Sequence, residues 1–478
     1  MNYKMITYVL GLILIFESVF LLVPSATALI YGEMRSLTAF LITVGICLAV
    51  GVLMSIKKPK NKSLIARDGF VIVAFSWIFL SVFGAIPFML AGVTDSYIDA
   101  LFETASGFTT TGATIFADVE ILPRSIIIWR SFTHWVGGMG VLVFVMAFLR
   151  LGGAQNMYIM KAESPGPEVS KLAPKVRTTA IWLYGVYIIL TIIEVILLLV
   201  GRLKLFDSLN IAFSTAGTGG FGFLNDSLAS FSPYVQIVVG IFMLLFSINF
   251  TSYFLILHGK LKSALTTEVK TFVFIVLVAV ATITINIRSM YPTLTEAARH
   301  AFFNVSSLIS TTGFATADFD LWPSFSKTLL VLVMFIGACA GSTGGGIKVS
   351  RIIIIFKVMG RELATALRPK RVKKIVVDGQ IQDISVVRSV YGYLFCFIAV
   401  FVTSIVLISI DGADLVTNFT AVTASIGNIG PGLSKVGPVM NYSFFSPLSK
   451  IVLIFDMLAG RLEFYPILLL LVPSTWRK

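Results

Sequence analysis

The sequence predicts an all-α, polytopic membrane protein built of four alike units behind two leading spans. Three observations predict it. The 478 residues are 57% hydrophobic and 13% charged, with a mean hydropathy of +0.93, which is not a soluble composition. Apolar runs of about 20 residues recur, enough for a helix to cross a hydrocarbon layer of about 30 Å. Between alternate runs lie four short loops of one kind: Thr110-Thr111-Gly112-Ala113, Thr218-Gly219-Gly220-Phe221, Thr311-Thr312-Gly313-Phe314 and Asn428-Ile429-Gly430-Pro431.

In chain order the expected spans are 6–30, 37–55, 69–91, 126–149, 179–200, 234–257, 271–287, 327–359, 389–410 and 448–472. The first has no cleavable pattern and is taken as a retained span rather than a signal peptide. The eighth is interrupted by Gly337-Ala338-Cys339-Ala340-Gly341-Ser342-Thr343-Gly344-Gly345-Gly346. Each glycine costs a helix about 1 kcal/mol relative to alanine, so no continuous helix is expected there. A close-packing glycine patch against neighbouring helices is the other reading of that run.

The stretches 99–108, 207–216, 296–310 and 414–427 are apolar but too short to cross, and each precedes one glycine loop. Asp99 lies 13 positions before Gly112, and Asp207 lies 13 before Gly220. Leu101, Leu209, Phe302 and Phe419 hold the position 11 before each glycine. Ser106, Ser214 and Ser307 stand six before it, with Ala424 in the fourth copy. This is an internal repeat of span, short helix, loop and span. It divides the chain into residues 1–67, 68–177, 178–270, 271–388 and 389–478.

Backbone that leaves a helix at membrane depth is tolerated where it lines a wet cavity or is buried in protein. Glycine adopts positive φ, so successive carbonyls can face one way and replace the water around a cation. The negative C-terminal end of a short helix favours that cation too. The pattern therefore reads as span–pore-helix–filter–span repeats in pseudo-fourfold arrangement around one central pore. Asp95, Asp118, Glu120, Asp226, Asp318 and Asp320 flank its outer mouth, as cation-concentrating groups or as ordinary solvated charges.

The net charge of +13 does not point to nucleic acid. Most of the 37 basic residues fall on one side of the ten-span topology: Lys57 to Arg67, Arg150 to Arg177, Lys260 to Lys270, Lys357 to Arg388, and both termini. The positive-inside rule makes that side cytoplasmic and suits it to anionic membrane lipid. Cys47, Cys339 and Cys396 lie in apolar segments without a pairing pattern.

The chain resembles the Trk/Ktr/HKT superfamily of potassium-uptake proteins, most closely its TrkH-type membrane subunits. The residues that carry the resemblance run from Ser106 through Thr114, His134 through Gly140, Phe213 through Phe221, Ser310 through Phe314, Gly427 through Gly432 and Gly460 through Glu463. The two leading spans fit the TrkH branch. The resemblance implies that Gly112, Gly220, Gly313 and Gly430 line one potassium filter, with further carbonyls from Thr110, Thr111, Thr218, Gly219, Thr311, Thr312, Asn428 and Ile429. Serine at the first glycine position goes with sodium permeation in that family, and Gly112 is glycine. The resemblance also makes 337–346 a gating loop under the filter, with Gly337, Gly341, Ser342, Thr343, Gly344, Gly345 and Gly346 at its heart. Lys348 then marks the cytoplasmic exit.

Arg461 sits mid-span between Leu458 and Leu468, where a charge is expensive and faces a bundle interior or an aqueous path. It is read either as an electrostatic barrier in the pore that contacts the gating loop, or as a buried partner of Asp456 or Glu463. His134 and His258 are expected to pack or cap rather than relay protons.

No nucleotide-binding or metalloprotease pattern appears, and three histidines are poor material for an intramembrane enzyme. The expectation is a non-enzymatic potassium conduit of the cell inner membrane, with no cofactor in this chain and both termini cytoplasmic. The alternative is a proton- or sodium-coupled potassium symporter relying on Asp456, Glu463 or His134. The family resemblance implies a homodimer and a cytoplasmic TrkA-like RCK ring that binds the regulatory nucleotide.

Overall fold

The computed structural model describes residues 1–61, 64–140, 176–368 and 374–477, all but a two-stranded hairpin being helix and loop. Among these residues six helices are long and apolar enough to cross a membrane, and a seventh forms if the bent pair Pro233–Phe246 and Phe250–Leu257 is taken together. Of the leading helices, Tyr3–Phe20 and Met34–Ser55 pack on Ala66–Gly84, the first helix of the first unit, while Leu22–Tyr31 packs on Met34–Ser55 and on Arg124–Gly138.

Four short helices stand where the sequence places them: Tyr97–Phe108, Leu205–Gly217, Leu294–Ile309 and Leu415–Gly427. Their starts are set by polar chemistry. Ser96, Thr293 and Asp414 accept the backbone N–H of Asp99, Glu296 and Thr417, and Asp99, Asp207 and Glu296 add negative charge in the first turn. Both effects satisfy the positive end of a helix.

The units close into a ring. Each short helix packs on the second long helix of the unit before it: Leu205–Gly217 on Arg124–Gly138, Leu294–Ile309 on Pro233–Phe246, Leu415–Gly427 on Ser324–Ile336, and Tyr97–Phe108 on Pro447–Arg461. An ion pair of 2.6 Å between Lys450 and Asp99 joins the last unit to the first.

The sequence reading breaks only the eighth span, and the structure corrects this. The span expected at 234–257 bends by 91° after Phe246. There the Asn249 side chain accepts from Thr251 N–H and starts a new helix. The span expected at 448–472 stops at Arg461 and resumes at Tyr465, with Glu463 and Phe464 at φ 54° and 69°. The break from Gly337 to Lys348 lies where it is expected. The span expected at 126–149 is helical to Gly138, and its end lies outside the described residues. The same holds for Lys62, Arg150, Lys161, Lys171, Lys175, Lys370, Arg371, Lys373 and Lys478, and for the Arg177 side chain.

The basic segment at the end of the third unit carries the hairpin Val376–Val377 and Gln380–Ile381, turned by Asp378 and Gly379 at φ 49° and 77°. Cys47, Cys339 and Cys396 are free thiols.

Candidate functional site

The four glycine loops share one backbone conformation. Thr110, Thr218, Thr311 and Asn428 have φ of 53–61°, and two residues on Gly112, Gly220, Gly313 and Gly430 have φ of 76–95°. The residue between stays on the negative side, so handedness alternates along each loop. Alternating left- and right-handed residues turn consecutive carbonyls to the same side of the strand, where a helix or an extended chain would not. Each loop leaves its helix by the same hydrogen bond. Thr111, Gly219, Thr312 and Ile429 donate N–H to the carbonyls of Ser106, Ser214, Ser307 and Ala424 at 2.8–2.9 Å. Three of these acceptors are the serines that fix the repeat register in the sequence.

The loops meet in cyclic order. A β-carbon built on Gly112 would lie 1.8 Å from the Gly219 carbonyl oxygen, and one on Gly220 2.0 Å from that of Thr312. One on Gly313 would lie 2.1 Å from the Ile429 oxygen, and one on Gly430 2.7 Å from that of Thr111. Every unit thus presses a glycine on the carbonyl of the next, and the fourth returns to the first. No side chain fits at any of the four.

A cavity opens on each side of this ring. One is lined by Gly112, Gly220, Gly313 and Gly430 together with Thr114, Asn225 and Tyr442. The other, toward the basic face, draws on a place in each of the four units where a helix ends or breaks: Gly138 to Gly140, Phe250, Gly341 with Ser342, Gly344 to Gly346 and Lys348, and Gly460 to Glu463.

Polar side chains brace the ring from behind. Glu103 is buried and takes 2.7 Å from Arg130 Nε, 3.0 Å from the Ile115 N–H and 3.0 Å from the Thr114 hydroxyl. Arg130 also donates to the Gly222 carbonyl at 3.0 Å and lies 4.1 Å from the Phe221 ring centre, tying the first loop to the second. His134 Nδ1 meets the Gly107 carbonyl at 2.8 Å and Nε2 meets the Phe221 N–H at 3.3 Å. The carbonyl can only accept and the amide only donate, which fixes a neutral ring with its proton on Nδ1. Asn428 Nδ2 reaches Thr111 Oγ1 at 3.0 Å, and the Tyr442 hydroxyl donates to Gly430 O at 2.8 Å. The sequence reading missed the Glu103–Arg130 pair. Its signal is a carboxylate in a short apolar helix and a guanidinium in an apolar span.

On the outer rim Asn225 Nδ2 donates to Asp118 at 2.8 Å and holds that carboxyl below the usual aspartate range, with help from the Glu120 N–H.

The segment from Gly337 to Lys348 lies against the third and fourth glycine loops. Gly345 N–H donates to Thr311 Oγ1 at 2.6 Å, and Gly346 N–H to Gly427 O at 3.1 Å. A β-carbon on Gly344 would lie 2.7 Å from Ser310 O, so the approach needs a glycine there too. Thr343 bonds the Phe246 carbonyl at the bend of the second unit, and Ser342 Oγ the Cys339 carbonyl at 2.6 Å. Gly337 and Gly341 turn at φ 70°.

Arg461 reaches across the cavity. It donates to Thr343 O at 2.8 Å, to Gly137 O and Gly138 O at 2.5 and 2.7 Å, and to Thr110 Oγ1 at 3.2 Å. The ion pair considered for it with Asp456 or Glu463 does not form. Glu463 pairs with Arg351 at 2.6 Å, and Asp456 accepts from Ser404 Oγ at 2.7 Å. Lys348, expected at an exit, is 2% exposed and folds back on the Gly344 carbonyl.

Comparison with known proteins is consistent along the chain. A family model described as TrkH, cation transport protein, matches residues 36–478. The Trk system potassium uptake protein TrkH of Escherichia coli (strain K12) is 34% identical over 100% of both chains. The related TrkG protein of the same organism is 33% identical over 99% of each. Among solved structures, the crystal structure of the potassium transporter TrkH from Vibrio parahaemolyticus superposes with a TM-score of 0.90, at 32% identity and 100% coverage of both chains.

Proposed function

The chain belongs to the TrkH family of cation transport proteins, and we propose that it takes up potassium through a filter made by the ring of glycine loops. It is a multi-pass membrane protein of a transporter family, not an enzyme. The observation that carries the reading is the cyclic contact of Gly112, Gly220, Gly313 and Gly430, with cavities on both sides of it. Left-handed Thr110, Thr218, Thr311 and Asn428 aim the carbonyls that follow them inward, where they replace the hydration shell of a dehydrated cation.

The Gly337–Lys348 loop is the gate in this reading. It lies under half of the ring, and Arg461 holds it through Thr343 while placing a fixed positive charge beside the path. A cation leaving the filter meets that charge in a low-dielectric surrounding and is repelled. Withdrawing the loop opens the way, and the membrane potential then drives entry with about 2.3 kcal/mol per charge per 100 mV. The basic face is cytoplasmic, in the cell inner membrane. It is the docking surface for a nucleotide-binding ring of the RCK type, and the protein works as a homodimer with one path per protomer.

A conduit is favoured over coupled symport by the fate of the titratable groups. Both ring nitrogens of His134 are committed, Glu463 is ion-paired, and Asp456 is bound to Ser404 behind the path.

The test is rubidium and sodium flux into liposomes holding the purified full chain, with ion gradients exchanged, for the natural protein and Gly112→Ser. Serine at φ 79° and 1.8 Å from a carbonyl must spread the ring, so potassium-over-sodium preference is expected to fall about tenfold. Unchanged preference counts against the filter assignment.

A further inference from the structure

The Gly337–Lys348 loop is held on its far side by a single carboxylate. Glu268, in the first turn of Thr267–Ile287, accepts the Ala340 N–H at 2.8 Å and the Ser350 N–H at 3.0 Å on the same oxygen. Those amides lie on either side of the glycine-rich stretch 341–346. One oxygen therefore pins the loop at both ends, through charge-assisted bonds stronger than neutral ones.

The next residue back is tied elsewhere. Thr267 donates its N–H and its hydroxyl to Asp378 Oδ1 at 2.7 and 2.6 Å. Asp378 is the exposed turn of the hairpin on the basic face. The hairpin also accepts Lys357 Nζ on its Val376 carbonyl, and Lys357 belongs to Val349–Leu367, the helix that leaves the loop. A cavity lined by Thr266, Glu268, Ala340, Ser350 and Asp378 separates the hairpin from the loop's far side. Hairpin, Thr267, Glu268 and the two loop ends thus form one chain of bonds from the surface to the loop.

We propose that Glu268 is the positioning residue that latches this loop in its obstructing place, and that the hairpin, through Asp378, is the lever that releases it. The proposal rests on the reading of the loop as the gate. Its physics is helix fraying. The N-terminal amides of Thr267–Ile287 have no partner within the helix, and Asp378 supplies one for Thr267. A load that draws the hairpin away leaves that amide orphaned and loosens the first turn, and Glu268 moves with it.

Native Cys339 reports on the loop, since it lies within it and is 0% exposed. The experiment is its rate of modification by a small water-soluble thiosulfonate, read by peptide mass so that Cys47 and Cys396 are distinguished. It uses the full chain in liposomes with potassium on both sides, and rubidium flux is measured in parallel. Glu268→Ala is expected to raise the rate about tenfold or more by removing two charge-assisted bonds. Asp378→Ala, an exposed change that spares the core, is expected to raise it severalfold. The double variant should not exceed Glu268→Ala, as for two steps in series. Glu268→Gln keeps an acceptor oxygen and should restore part of the protection. Glu268→Met, which keeps the bulk but offers no oxygen, should not, whereas lost packing alone would require that it did. An unchanged rate in Glu268→Ala, no rescue by Glu268→Gln, or no response to Asp378→Ala overturns the proposal. Raised rates with unchanged rubidium flux uphold the latch and contradict the gate reading instead.

Discussion

At Gly112, Gly220, Gly313 and Gly430 two constraints coincide: a left-handed backbone and a neighbouring carbonyl where a side chain would begin. The first costs an L-residue about 1–2 kcal/mol wherever it occurs, while the second differs among the four. The approach is 1.8 Å at Gly112 and 2.7 Å at Gly430. Alanine at Gly430 is therefore expected to keep the most rubidium flux of the four single variants, and alanine at Gly112 the least; the reverse order would contradict the packing described. Glu103→Ala strands Arg130 in the protein with no carboxylate, which costs about 3–5 kcal/mol for a buried pair. Thermal unfolding in detergent should show a marked fall in midpoint, against little change for the exposed Glu362→Ala. Asp118 sets a pH dependence of known sign. Its folded pKa is depressed by Asn225, so its clamp on the outer rim is fully present above the unfolded value near 3.9 and is lost as pH falls through the lower, folded value. The protection factor of the Val119 amide, which donates to Asn225, should hold down to about pH 4 and fall below it; protection that is lost already near neutrality would refute the assignment.

Among elements, the breaks in the long helices decide what the cavity near the basic face is made of. The break after Ile336 is legible because five glycines in ten residues are a local signal. Those after Phe246 and Arg461 are not. Ser247-Ile248-Asn249 and Leu462-Glu463-Phe464 contain no glycine, and their breaks are fixed by partners far along the chain. Ser247 O takes the Cys339 N–H at 3.0 Å, and Glu463 is held by Arg351. The left-handed turns at Thr110, Thr218 and Thr311 were equally hidden, since β-branched residues avoid that region unless their surroundings demand it. What could be read was the short-helix length, the serine register and the glycine itself. Arg461 belongs to this scale because it binds three elements at once: the loop at Thr343, the first helix end at Gly137 and Gly138, and the first glycine loop at Thr110. Arg461→Ala removes both the tether and the charge. Rubidium flux through the chain alone is expected to rise severalfold, and a fall in flux with intact folding would argue that the arginine serves the open path instead.

For the whole molecule, four unlike loops on one chain do what symmetry does in an assembly of identical subunits. Only the glycine is common to all four loops, yet the whole backbone repeats, because carbonyl direction is set by dihedral sign and not by side chain. Closure from the fourth unit to the first is carried by Lys450 with Asp99, Asn428 with Thr111, and the Tyr442 N–H with Thr114 O at 2.8 Å. No sequence pattern announces these contacts, which join residues more than 300 positions apart. The most direct measurement is anomalous scattering from crystals of the full chain grown in rubidium in place of potassium. A column of rubidium peaks on the axis shared by Gly112, Gly220, Gly313 and Gly430 is the predicted result. Rubidium bound elsewhere in the protein, with that axis empty, would contradict the account.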